Sequence, residues 1–179
     1  MTNLYILCGI PASGKSTWVA QHANLVKMSD GTSIDTWISR DTIRYNLLRA
    51  KYDNVSNLSS EQYFSEENNV YKQFIRRIQE AIWDETKSVF VDATNVSIAS
   101  RNKLYKAIFA KPQIKSEDCY CTAVCFSISL NEAIERDKNR VGFAHVGEQA
   151  IKRFEHQLEL PEKYSTKELF QFDELMIII

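Results

Sequence analysis

Glycine and proline are scarce in this chain, five and three among 179 residues. That argues against collagen-like or low-complexity architecture, which needs both in bulk. Charge of one sign is equally wanting: 22 basic side chains stand against 23 acidic ones, a formal net charge of −1. Such balance argues against a protein that coats long nucleic acid, because coating needs many phosphate-neutralising cations on one surface. A small basic pocket that grips only the end of a strand stays compatible. Long hydrophobic runs are missing too. The opening MTNLYILCGIPAS has no basic leader before an extended apolar stretch, and the closing ELMIII is far too short to cross a bilayer. The expectation is a cytoplasmic protein with no membrane partner, in which ELMIII forms a buried terminal strand. Cysteine is present, at 8, 119, 121 and 125, but without zinc-type pairing, and His22, His145 and His156 show no ligand spacing. Cys119, Cys121 and Cys125 share one parity, so on a strand they point to one face. They are expected as reduced core thiols, which leaves the sequons at Asn54, Asn57 and Asn95 without meaning.

What is present has a clear order. LYILC (4–8) is a continuous apolar run, as in a strand buried on both faces. A helix is expected over 15–22, a strand over 36–39, and a helix over 41–51 with Asp41 near its N-cap. Turn formers fill 53–60. Segment 61–86 carries Phe64, Glu67, Val70, Tyr71, Phe74, Ile78 and Ile82 at helical spacing, so one long amphipathic helix is expected. SVFVD (88–92) is the clearest strand; helix 98–110, strand 120–127, helix 130–140 and helix 148–158 follow, and FQFDELMIII supplies the last strand. No internal repeat interrupts this order. The whole of 1–179 is expected as one α/β domain in three layers, a parallel sheet of about five strands with helices on both faces. Ligands of such sheets bind beyond the carboxyl ends of the strands. That rule singles out the loop from Gly9, Arg40 and Asp41, the stretch Asp92–Asn95, and the region after Ser127.

Directly after the first strand stands GIPASGKST (9–17), a match to G-x-x-x-x-G-K-[ST]. Gly9, Ala12, Ser13 and Gly14 let the backbone curl so that successive N–H groups point at phosphate oxygens. The following helix presents its positive end to the same anion. Lys15 reaches the outer phosphates, Ser16 completes Mg²⁺ coordination, and Thr17 closes the motif. The expected ligands are therefore ATP, as an NTP phosphoryl donor, and Mg²⁺. A guanine-reading Asn-Lys-x-Asp signature is absent. MSDGTS (28–33) imitates a phosphatase motif but has Met28 where the nucleophilic aspartate belongs, so a turn is expected there.

A kinase must also orient and deprotonate an acceptor hydroxyl, and a carboxylate is the usual base. Asp41, in SRDTIR, follows the second strand and belongs at the same sheet edge as the cradle. Arg44 lies one turn on, where it pairs with Asp41 or grips an acidic part of the acceptor; Arg40 adjoins them. Asp92 ends its strand where a magnesium-supporting acid belongs. Thr94 and Asn95 follow as candidate acceptor contacts, with Asn95 equally suited to cap the next helix. Arg136 and Arg140, four apart before a Gly-containing loop, suit a lid over 136–147 that neutralises the transferring phosphoryl group; favourable charge at a helix end is the plainer reading. Tyr52, Tyr63 and Tyr71 are placed either for base stacking or for packing.

The set GIPASGKSTW, SRDTIR, DATN and RDKNR followed by VGEQAIKRF, spread over residues 9 to about 160, resembles the kinase half of phage-type polynucleotide 5′-kinase–3′-phosphatases, end-healing enzymes of nucleic-acid repair. The resemblance implies a P-loop kinase fold and transfer of the γ-phosphate of ATP to the 5′-hydroxyl of DNA or RNA. It further implies that Asp41 is the base, that Arg44 grips the 3′-phosphate of the terminal nucleotide, and that Lys15, Ser16, Arg136 and Arg140 hold the donor. No motif for the phosphatase half is present. Two other readings remain at this point: a P-loop kinase of a small acceptor such as a nucleoside, sugar or antibiotic, and a nucleotide-binding switch without an acceptor. An open, basic entrance at Asp41 favours a polymer end; an enclosed one favours a metabolite. Self-association is compatible with each.

Overall fold

The computed structural model describes residues 1–24, 35–56 and 58–179; the Asp-Gly turn expected at 28–33 lies outside them. Five strands form one sheet in the order β2-β3-β1-β4-β5: β1 (Thr2–Cys8), β2 (Asp35–Ser39), β3 (Ser88–Asp92), β4 (Cys119–Phe126) and β5 (Glu174–Ile178). Every neighbouring pair is parallel. The helices are α1 (Lys15–His22), α2 (Arg40–Lys51), α3 (Ser60–Phe64), α4 (Glu67–Trp83), α5 (Ile98–Ile108), α6 (Leu130–Lys138) and α7 (Glu148–His156). The result is the expected three-layer P-loop kinase fold.

Alternation along the central strands divides the core. Leu4, Ile6 and Cys8 of β1, Val89 and Val91 of β3, and Cys119, Cys121, Ala123 and Cys125 of β4 point to one face, where Val70, Phe74 and Ile78 of α4 and Leu104 of α5 cover them. Leu7, Phe90, Val124 and Phe126 point to the other, under Trp18 and Val19 of α1. The cysteines thus share a face as their parity requires, and all four are free and buried. A third cluster joins Ile10 of the cradle and Val96 to Ala133, Ile134 and Ile151, so α6 and α7 are anchored at the carboxyl edge of the sheet. Among the described residues no helix is long and apolar enough to cross a membrane.

Three local expectations are corrected, the first being that ELMIII is buried: β5 borders the sheet, and Ile177 is 66% exposed. The long helix of 61–86 is two: α3 ends at Phe64, with Ser65 as its C-cap, and α4 begins after Glu66. A capping box, Ser59 with Gln62, starts the short helix and ties its first turn to local partners. Phe64 consequently leaves the core stripe and is 59% exposed. Asp41 lies near the N-cap of α2 as expected, in the first turn after Ser39, whose hydroxyl accepts from the Thr42 amide at 3.3 Å. Asn95 does not cap α5; Ser97 does, in a capping box with Ser100.

Candidate active site

The cradle grows from β1, the middle strand. Gly9 has no room for a side chain: a Cβ there would lie 2.9 Å from Ser13 Oγ and 3.0 Å from Phe126 Cβ. Ala12 and Gly14 both have positive φ, 62° and 97°, which coils the loop and starts α1 at Lys15. The Lys15 ammonium, buried, donates to the carbonyls of Gly9 (2.9 Å) and Ile10 (2.7 Å) and to Ser13 Oγ (3.3 Å). Burial pushes its pKa down to about 8, against the pull of the Asp92 and Asp41 carboxylates and with a further push from Arg140. Lys15 therefore feels three groups brought from three other elements. Thr17 is on the exposed side of α1.

Asp92 ends β3 beside Ser39, which ends β2. One of its oxygens, Oδ2, accepts from Ser16 Oγ at 2.8 Å and from Trp37 Nε1 at 3.0 Å. Burial raises its pKa, while the Ser16 hydrogen bond and the Lys15 charge hold the rise back. A hydroxyl and a carboxylate in contact beside a phosphate cradle are a hard oxygen set that fits Mg²⁺, with phosphates and water supplying the remaining ligands. Trp37 is a site residue that sequence reasoning passed over; its parity in β2, opposite to buried Ile38, is no more than a faint signal.

On the neighbouring strand end, Asp41 opens to solvent, its side chain 81% exposed, rather than facing an enclosed gap. Its carboxylate accepts from Arg44 Nη1. Arg44 is buried, donates to Glu67 Oε2 through Nε (3.1 Å) and Nη2 (2.9 Å), and lies 5.2 Å over the ring of Tyr63. Arg40 donates to the other oxygen of Glu67 and lies 5.6 Å from the ring of Tyr71. Glu67 opens α4 and thus fixes two arginines of α2 at once. Burial opposes its charge, yet Arg44 and Arg40 hold its carboxyl below the ordinary range. Its role was missed although its signal was visible: an acid stood on the apolar stripe of an amphipathic helix.

Thr94 is half-buried, and its carbonyl accepts from Gly9 N–H at 2.9 Å. Asn95 is buried, in the left-handed region at φ 44°, and its amide donates to the Leu7 carbonyl at 2.9 Å. Asn95 thus braces the junction of cradle and β3, with its side chain turned to the backbone of β1. Behind it, buried Arg101 donates to the Asn95 carbonyl at 2.9 Å and to buried Glu168.

Of the two arginines expected in the lid, Arg136 reaches the cradle, and Arg140 acts on it through its charge on Lys15. Arg136 Nη1 lies 3.5 Å from where a Cβ on Gly14 would be, and Nη2 donates to Glu132 at 2.6 Å. Arg140 follows the last turn of α6 and donates to the Ala144 carbonyl at 3.4 Å. Between them Asp137, 1% exposed, accepts from the Val146 amide (3.1 Å) and the Gly147 amide (2.8 Å). His145 Nδ1 is 3.2 Å from its Oδ2. Asp137 therefore folds the loop back on α6, a second role that motif reading overlooked. A hollow of about 640 Å³, lined by Ser56, Lys138, Arg140, Val141, Gly142 and His145, separates this loop from the turn after α2.

A family model described as AAA domain matches residues 4–161. No curated protein matches the chain. Among solved structures, one of the Pnkp1/Rnl/Hen1 RNA repair complex is 22% identical with a TM-score of 0.57, covering 88% of this chain and 44% of its own. A fungal RNA kinase is 15% identical with a TM-score of 0.58, covering 99% and 74%. Kti12 of Chaetomium thermophilum, in complex with ADP-AlF3, is 17% identical with a TM-score of 0.55, covering 98% and 88%. The chain spans less than half the length of the Pnkp1 complex chains, 38% and 44% in two structures. At these identities the likeness shows the fold alone.

Proposed function

Since the chain belongs to that AAA domain family and carries a P-loop kinase fold, we propose that it is an ATP-dependent 5′-hydroxyl kinase acting on the ends of DNA or RNA. The observation that carries this reading is the Asp41 entrance. A carboxylate 81% exposed and flanked by Arg40 and Arg44 admits the end of a polymer, whereas a metabolite kinase encloses its acceptor. The RNA kinase and the RNA repair complex among the structural neighbours agree with it.

In this mechanism the cradle amides and Lys15 bind the β- and γ-phosphates. Ser16 and Asp92 would hold Mg²⁺, which would supply positive charge beside the transferring phosphoryl group. Asp41 accepts the proton of the 5′-hydroxyl as that oxygen bonds to the γ-phosphorus. The bond from phosphorus to the β,γ-bridging oxygen breaks, and ADP leaves with the electron pair. Arg136 and Arg140 neutralise the charge spreading over the phosphoryl oxygens. Arg44, kept in place by Glu67 and Tyr63, faces the acceptor phosphate next to the reacting hydroxyl.

The test is transfer from radiolabelled ATP to a panel of 5′-OH oligonucleotides, nucleosides and sugars. Oligonucleotides are expected to be labelled at the 5′ end. Asp41→Asn is expected to keep ATP binding and lose transfer by about a hundredfold or more. Labelling of sugars alone, or full activity in the variant, refutes the reading.

A further inference from the structure

Three aromatic rings from three elements converge beside Asp41. Tyr45 comes from α2, Tyr63 from α3, and Phe143 from the tight turn at 142–144 in the lid loop. Phe143 lies edge-on to Tyr45 with centroids 5.3 Å apart and is inclined by 31° to Tyr63 at 5.2 Å. One ring of Tyr63 is thus shared between the Arg44 guanidinium and Phe143. None of the three belongs to the core clusters, and all three are only half-buried.

Placement gives the cluster its meaning. Tyr45 is four residues after Asp41, so both lie on one face of α2 about 5–6 Å apart at Cβ. In a nucleoside, the 5′-hydroxymethyl group and the base leave the sugar ring on the same face and are separated by a similar span. Phe143 is also the lid's aromatic contact with the acceptor side, while the same loop carries Arg140 toward the donor. A planar base that enters between Phe143 and the two tyrosines gains aromatic faces to stack on, and base-on-aromatic stacking tolerates every base.

We propose that Tyr45, Tyr63 and Phe143 form the slot for the terminal nucleobase of the acceptor, with Phe143 packed on the two tyrosines until the base enters between them. The proposal rests on the kinase reading above and narrows its acceptor to one with an aromatic base next to the reacting hydroxyl. It makes closure of the lid depend on that base: stacking on Phe143 holds the loop of Arg140 over the donor. Sugars and aminoglycosides lack the ring and are poor acceptors. An abasic 5′ end is disfavoured for the same reason.

The experiment compares kcat/KM for two 5′-OH oligonucleotides differing only in the terminal residue, one with a normal base and one with an abasic tetrahydrofuran. The wild-type protein is expected to prefer the base-bearing end about tenfold or more, the size of one stacking contact. Phe143→Leu and Tyr63→Ala are expected to bring that ratio toward one, and Tyr63→Phe to restore it. ADP binding, measured in parallel by calorimetry, verifies that each variant is folded. Equal wild-type rates on both ends overturn the slot and leave the kinase reading standing. A ratio unaltered in Phe143→Leu and Tyr63→Ala overturns it as well. No transfer to either end by wild-type protein that still binds nucleotide overturns the kinase reading and the slot with it.

Discussion

Lys15 spends its ammonium on the loop's own oxygens, Gly9, Ile10 and Ser13, and burial has lowered its pKa to about 8. An arriving triphosphate adds negative charge beside it and raises that value. The sign follows. Below about pH 8 the side chain is charged in both states, and affinity is flat in this group. Above it the free protein has lost the proton that the complex retains, so binding takes up a proton and affinity falls as pH rises. Calorimetry with a chelator present, in two buffers of different ionisation enthalpy at roughly pH 8.5, is expected to report net proton uptake that Lys15→Met removes. Proton release contradicts it. At this scale the cradle itself was legible because it is a contiguous motif. Glu67, Trp37 and Phe143 were not, since each meets partners distant in sequence: Arg40 and Arg44, Asp92, Tyr45 and Tyr63; Asp137 was not because the turn that brings the Val146 amide back to it carries no motif.

Elements were read most reliably where one period ran without interruption. β1, β3 and β4 alternate cleanly between two buried faces, and their bounds were nearly those expected. The segment 61–86 misled because a helical spacing of side chains continues across Ser65 and Glu66 although the helix is interrupted there. The interruption serves the site: it frees Tyr63 to meet Arg44 while α4 opens on Glu67. In the lid, the equivalent local device is the Asp137 carboxylate. Asp137→Ala removes the acceptor of two amides and is expected to cost about 1–3 kcal/mol of local order. Amide exchange at Val146 and Gly147 is expected to accelerate, with kcat reduced as Arg140 loses its placement. Unchanged protection at those two amides counts against this role.

For the molecule as a whole, one buried ion pair joins regions that the sequence holds far apart. Arg101 of α5 and Glu168 of the segment before β5 are 0% and 1% exposed at their side chains, and Arg101 also holds the Asn95 carbonyl behind the cradle. Removing one partner strands the other charge in the interior. Arg101→Met is expected to destabilise the protein by about 3–5 kcal/mol in urea unfolding, and adding Glu168→Leu to recover most of that loss. A single variant as stable as wild type refutes the assignment. The sheet order carries a different consequence. The donor machinery grows from β1 and β3 inside the sheet, whereas Asp41, Arg44 and Tyr45 ride on α2 after the border strand β2. On the kinase reading, acceptor choice is therefore transplantable as a cassette of α2 and α3, while the phosphate cradle stays bolted to the middle of the chassis.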